Sequence, residues 1–343
     1  MDNQRISWVD YGKGICIILV VMMHTTLGYS EIIHADGWMT PVVAWAKPFR
    51  MPDFFLLAGL FLNLSIFGPR TPYFDRKVLH FAYFYLLWLG IQTALFEANL
   101  LLSDPAEFVA VFLSALVFPK SSLWFIHMLA IFYIITWAVR HVSTMKMLAM
   151  AAVLQIVFST GFIDTGWSVT NRIMEWFVYF FAGYSLSTIA FSWAQKANED
   201  KMRTFGWLAG WVIANTCFVA LNIATLPIVS LALGMAGAFA IIAIASVLAD
   251  LGHAKWLSYV GANSIVVYLT FFIPMKILQK LFASTGAIES PGTVSILILT
   301  VSVASPLAFH WVIKRTPLNW LYVRPEFLKI TADRKVHTKT APT

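Results

Sequence analysis

Apolar stretches long enough to cross a bilayer recur along almost the whole 343-residue chain. A spanning helix needs about 20 apolar residues, because backbone polar groups inside the hydrocarbon layer must be satisfied within the segment. Ten such windows can be drawn: 14–33, 51–67, 78–97, 123–141, 146–163, 174–193, 205–222, 227–249, 258–281 and 293–313. A further apolar segment, 106–118, is shorter and reads as interfacial or re-entrant. Charged residues make up 12% of the chain, against about 25% in a soluble domain. The pattern predicts an all-α fold, a polytopic membrane helix bundle of about ten transmembrane helices. It leaves no soluble module to bind nucleic acid, despite a net charge of +7.

The charge is unevenly spread. With the N-terminus in the cytoplasm and strict alternation, eighteen of the 24 Lys and Arg residues fall inside, Arg5 and the seven after 313 among them. Six fall outside, Lys120 among them. The positive-inside rule then predicts cytoplasmic N- and C-termini and a multi-pass protein of the plasma (inner) membrane. Residues 1–315 read as one transmembrane domain. Residues 316–343 read as a basic cytoplasmic tail, partly disordered and lying on the anionic inner leaflet. The N-terminus has no cleavable signal-peptide pattern. Cys16 and Cys217 lie in separate apolar spans and form neither a disulfide framework nor a metal site.

Polar residues inside apolar spans carry the functional reading, because the membrane penalises them. His24 lies deep in the first span, eleven residues after Lys13. Eleven residues turn a helix by about 1100°, only about 20° past three turns, and rise roughly 16 Å. On a continuous helix both side chains share a face, so the first helix is expected to line a polar passage. His24 suits a general base or a covalent acyl carrier. The plain alternative is a buried histidine bonded to a neighbouring helix. Thr25 and Thr26 read as helix residues bonding back to the preceding turn. Lys13 suits an anionic phosphate or carboxylate, or else snorkels to the headgroups. Asp10 is placed to pair with it. Glu31, seven residues beyond His24, shares its face and could order an outer mouth.

The second span begins behind Pro48 and Pro52, which deny backbone donors and are expected to break the helix. Arg50 and Asp53 then sit where the chain enters the bilayer, and a broken, charged segment is one way to build a polar site there. Ala58 and Gly59 are small enough for close helix contact. The loop carrying Arg70, Arg76 and Lys77 is either a phosphate clamp or a topology signal. Trp124 could stack on a sugar or anchor at the interface. His127 reads as a boundary histidine, and Arg172 and Glu175 as a pair.

Together these residues resemble the acyltransferase-3 family of membrane acyltransferases. The family's first helix carries Arg or Lys, ten residues, then His, matched by Lys13 and His24. Its second carries Met-Pro-x-Phe-Phe-x-x-Ser-Gly, matched by Met51-Pro52-Asp53-Phe54-Phe55-Leu56-Leu57-Ala58-Gly59. Leu123-Trp124-Phe125 and Gly261-Ala262-Asn263-Ser264 with Tyr268 match two later, weaker patterns. Ala58 departs from the usual Ser. Arg76-Lys77-Val78-Leu79 lacks the second Arg of an expected Arg-x-x-Arg, and Thr270-Phe271 stands where a His often ends the late motif. The resemblance spans roughly residues 5–275 and is nearest to short sugar O-acetylases.

The resemblance implies transfer of an acyl group, often acetyl, from acyl-CoA (acetyl-CoA) to a hydroxyl of a carbohydrate or glycan. It implies no bound cofactor. His24 is then catalytic, as base or transient acyl carrier. Lys13, Arg70, Arg76 and Lys77 are donor-binding candidates, and Arg50, Asp53, Glu31 and Trp124 lie on the acceptor side. A transporter or flippase of a sugar or lipid-linked glycan is the main alternative, followed by a subunit of a polysaccharide synthase. No internal two-fold repeat of the transporter kind is visible.

Overall fold

The computed structural model describes residues 6–119 and 122–331, and among these the chain is helical, with no strand. Arg5, Lys120 and the end of the predicted tail, 332–343, lie outside the described residues. The first helices are α1 (Ser7–Ile33), α2 (Met39–Gly59) and α3 (Arg70–Phe74), then a π turn at Asp75–Leu79 and α4 (His80–Phe96). Next come α5 (Ala98–Ser103), α6 (Pro105–Val117), α7 (Trp124–Ala138), α8 (Thr144–Ser159), α9 (Ser168–Ser185) and α10 (Ser187–Glu199). The last are α11 (Lys201–Ala220), α12 (Pro227–Leu251), α13 (Lys255–Ala262), α14 (Ser264–Thr270), α15 (Phe272–Thr285) and α16 (Pro291–Ile313).

Local sequence sets several of these boundaries. α12 and α16 each begin on a proline, whose missing N–H would go unpaired in the first turn anyway. α12 ends on Gly252 at φ 64°, in the left-handed region that glycine enters at no steric cost. α6 is capped by Asp104, whose carboxylate accepts from the Glu107 N–H at 3.0 Å. It is the short helix expected at 106–118.

Four stretches are long and apolar enough to cross a membrane: Ser7–Ile33, Arg70–Phe96, Pro227–Leu251 and Pro291–Ile313. Two more qualify if each bent pair is one span, α9 with α10 at 71° and α14 with α15 at 48°. α6, α7 and α8 are apolar but shorter.

The expected break in the second span does not occur. α2 runs unbroken from Met39 to Gly59 with Pro48 and Pro52 inside it. It therefore starts twelve residues before the predicted span and ends before Leu60. Packing explains this, since α1, α9, α11, α12 and α16 all lie against α2 and tertiary contact overrides the proline penalty. As a result Arg50 and Asp53, 8% and 1% exposed, sit in the bundle interior rather than at its entrance.

α1 lies at the centre, against α2, α12, α13 and α16. A Cβ on Gly261 would fall 1.7 Å from the Asp10 carbonyl oxygen, and one on Gly14 2.2 Å from that of Leu257, so only glycine lets α13 sit on α1. Gly59 serves α2 and α9 in the same way, where a Cβ would lie 2.2 Å from the Phe180 carbonyl oxygen. This is the close contact expected of that motif.

The tail predicted from 316 is folded as far as Thr331. The Tyr83 hydroxyl donates to the Trp320 carbonyl at 2.8 Å, and Trp88 Nε1 to that of Leu321 at 3.0 Å. Tyr322 shares a 2.5 Å hydrogen bond with Thr270, and burial pushes its pKa up to about 12, so its proton stays in place at neutral pH. Arg324 reaches Asp75. Basic composition favoured a tail, but specific donors on α4 and one buried carboxylate hold the segment down.

Candidate functional site

A cavity of about 910 Å³ opens at the end of the bundle where α1 begins. α1 lines it with Asp10 and Lys13, the π turn with Arg76 and Lys77, and α4 with His80. A π turn carries one extra residue and re-aims the side chains that follow it. Three cations and an imidazole thus share one wall. Lys77 Nζ lies 5.3 Å from the Tyr133 ring centre, and the Tyr133 hydroxyl donates to the Ala58 carbonyl at 3.0 Å. Phe54, Leu57, Phe125 and Leu129 make the deeper wall apolar.

Aromatic rings line part of the cavity. Phe54 and Phe125 stack at 4.4 Å with planes 10° apart, and Tyr268 meets Phe125 edge-on at 5.7 Å. The Tyr268 hydroxyl donates to the Ser122 carbonyl, which fixes the ring. Arg50 is one helical turn from Phe54 on α2, on the side away from Ala58.

His24 is on α1, half-buried, and outside the cavity lining. Its ring lies 5.5 Å from Phe271, at the break between α14 and α15. Arg50 and Lys276 are the charges that act on it. Its backbone carbonyl accepts from Gln279 Nε2 at 3.2 Å. Thr25 bonds back to the Met22 carbonyl at 3.0 Å, as expected of a helix threonine. Arg50 Nε and Nη1 and both Asp53 oxygens are buried without a hydrogen-bond partner among the described residues.

Lys13, Arg76 and Lys77 are thus brought together in the cavity wall. Lys13 and His24 share one helix, but only Lys13 lines the cavity. Arg70 is not in the cavity wall; its guanidinium lies 5.5 Å over Phe74 and 5.2 Å over Trp137. Glu31 is exposed near the far end of α1. Arg172 lies 4.7 Å over the Trp124 ring and interacts electrostatically with Glu175, as expected of that pair. His127, half-buried in the first turn of α7, packs on Tyr85 at 4.9 Å.

Sequence reasoning missed His80. It follows Lys77 by three residues and Arg76 by four, a spacing that puts all three on neighbouring helix positions. Tyr133 and Tyr268 carried no comparable signal for lining a cavity.

A bundle of apolar helices around a cavity lined by cations is the architecture of a multi-pass membrane protein. The chain belongs to the acyltransferase-3 family, whose acyltransferase-domain model matches residues 6–312; membership implies acyl transfer. The chain is 21% identical over 203 residues to "Inner membrane protein YcfT" of Escherichia coli (strain K12), which covers 53% of this chain and 56% of that protein. The chain thus spans about half the length of this curated relative. Its apolar helices and this relative make it a multi-pass inner-membrane protein. No solved structure matches.

Proposed function

We propose that the protein moves an acyl group, acetyl foremost, from acyl-CoA to a hydroxyl of a carbohydrate or glycan. The observation that carries this reading is the convergence on one cavity of Lys13, from the helix that bears His24, with Arg76 and Lys77 of the π turn. Acyl-CoA brings several phosphate charges and a long, flexible arm. The cations suit the phosphates, and the apolar wall beyond them suits the arm.

In this reading the acceptor oxygen bonds to the thioester carbonyl carbon. The carbon–sulfur bond breaks and CoA leaves. His24 takes the hydroxyl proton and returns it to the departing sulfur. Alternatively, His24 itself takes the acyl group and passes it to the acceptor. His24 does not line the cavity, so in this reading the rings of Phe54, Phe125 and Tyr268 part to let the thioester reach it. Arg50 and Asp53, with partners still to make, order the acceptor side. Arg70, Glu31 and Trp124, proposed for the same site from the sequence, stand further from it.

We keep ten crossings in this proposal: α1, α2, α3 with α4, α7, α8, α9 with α10, α11, α12, α14 with α15, and α16. Both ends are then cytoplasmic, and the cavity opens towards cytosolic acyl-CoA. A second reading makes His80 the base, because it lines the cavity and His24 does not.

Purified protein with radiolabelled acetyl-CoA and a glycan acceptor tests the proposal. Label on the glycan, or held on the protein, is expected. Label that stays on CoA while the glycan crosses the vesicle membrane would favour a transporter.

A further inference from the structure

Asp75 opens the π turn whose next two residues, Arg76 and Lys77, enter the cavity wall. Its side chain is 2% exposed, and every partner it has in the described structure comes from the C-terminal segment. Arg324 Nη2 pairs with the carboxylate, and Arg324 Nη1 donates to the Asp75 backbone carbonyl at 2.9 Å. The Ile330 N–H donates to one carboxylate oxygen at 3.2 Å. The Thr331 N–H and hydroxyl donate to the other at 3.3 and 2.7 Å. The same segment bonds Tyr322 to Thr270, two residues after Tyr268. One strap therefore grips both the cationic wall and the helix that carries an aromatic ring of the cavity lining.

A π turn is rare, appears mostly as a single turn inside an α-helix, and is frequent at functional sites. Relaxation to α register would rotate Arg76, Lys77 and His80 relative to the cavity. The carboxylate is held from more than 240 residues away, so the clamp forms only once the C-terminal segment has docked. Charge-assisted bonds in a buried setting are the strong class.

We infer that Arg324 and Thr331 are positioning residues for the anionic donor: through Asp75 they fix the π turn that aims Arg76, Lys77 and His80 into the cavity. This rests on the donor reading of that cavity. The strap, which reads from sequence as a tail, is then part of the donor site.

The test is calorimetric binding of coenzyme A to the purified full chain in detergent, with melting temperatures measured alongside. Asp75→Asn and Arg324→Lys are expected to bind about tenfold more weakly, and Thr331→Val about threefold, as befits loss of one or part of one charge-assisted bond. Melting temperature is expected to stay near that of the parent in Thr331→Val, which also decides the matter if the two stronger variants do not fold. Lys201→Ala, which removes a 2.7 Å surface pair with Asp250, is expected to leave binding unchanged. Parent and variants binding alike would overturn the strap's role alone. Weakening that only follows the loss of folded protein would do the same. A parent that does not bind coenzyme A would overturn the donor reading, and this inference with it.

Discussion

The rings of Phe54 and Phe125 lie 4.4 Å apart and 10° from parallel, and both line the cationic cavity. Both belong to the motifs of the sequence resemblance, Phe54 to the Met-Pro-x-Phe-Phe segment and Phe125 to Leu-Trp-Phe. In the proposed function the stacked pair is a barrier between His24, which does not line the cavity, and the cavity that holds Lys13.

Removing one ring is expected to open that barrier. Phe54→Ala should let water reach the thioester, so that acyl-CoA is hydrolysed without acceptor. Losing a buried aromatic ring also costs about 3–5 kcal/mol of stability, so release of free CoA is measured per mole of folded protein. An unchanged ratio of hydrolysis to transfer would show that the pair is not a barrier.

The two histidines separate by kinetics. His24→Ala is expected to lower kcat by about 10²–10⁴-fold, the range of a lost general base. His80→Ala is expected to raise the acyl-CoA KM while kcat changes little. Steady-state rates with each variant check this, and the opposite ranking would give the base role to His80.

The cations can be ranked in the same way. Lys77→Ala and Arg76→Ala are expected to raise the acyl-CoA KM roughly tenfold each, an effect that weakens as salt screens the charges. Arg70→Ala is expected to leave it unchanged, because its guanidinium lies over Phe74 and Trp137 instead. Equal effects at positions 70 and 77 would mean that the cavity wall does not select the donor contacts.

Gly261→Ala is expected to destabilise the protein by at least the ~1–3 kcal/mol typical of overpacking. Its new methyl would sit 1.7 Å from the Asp10 carbonyl oxygen, and that atom is backbone and cannot swing aside. Gly206→Ala on α11, where no atom lies within 4 Å, is the control and is expected to keep the parent's melting temperature. Thermal denaturation in detergent checks both.

Much of the fold was legible because the bilayer imposes a simple rule. Each of the ten apolar windows contains a helix, and the short segment near 106–118 forms α6, since hydrocarbon leaves a backbone few other options. Lys13 and His24 could be placed on one face because α1 is continuous. The basic run Arg76-Lys77 was visible as a charged patch, but charge alone left it either a phosphate clamp or a topology signal.

The rest depended on contacts between residues far apart in sequence. The prolines of α2 promised a break, and packing from five neighbouring helices removed it, which took Arg50 and Asp53 into the interior. Periodicity gave Lys13 and His24 a common face but said nothing of the rings that line the cavity with Lys13, since those arrive from α2, α7 and α14. Composition made a tail of residues 316–331, while one carboxylate at position 75 made them a strap. Sequence alone determined that this chain is a helical membrane protein with a histidine inside its first apolar span and a basic end, because hydrophobic length and charge are properties of single segments. Which polar groups meet in one cavity was decided only by tertiary structure, because a cavity is made of side chains that no single helix supplies.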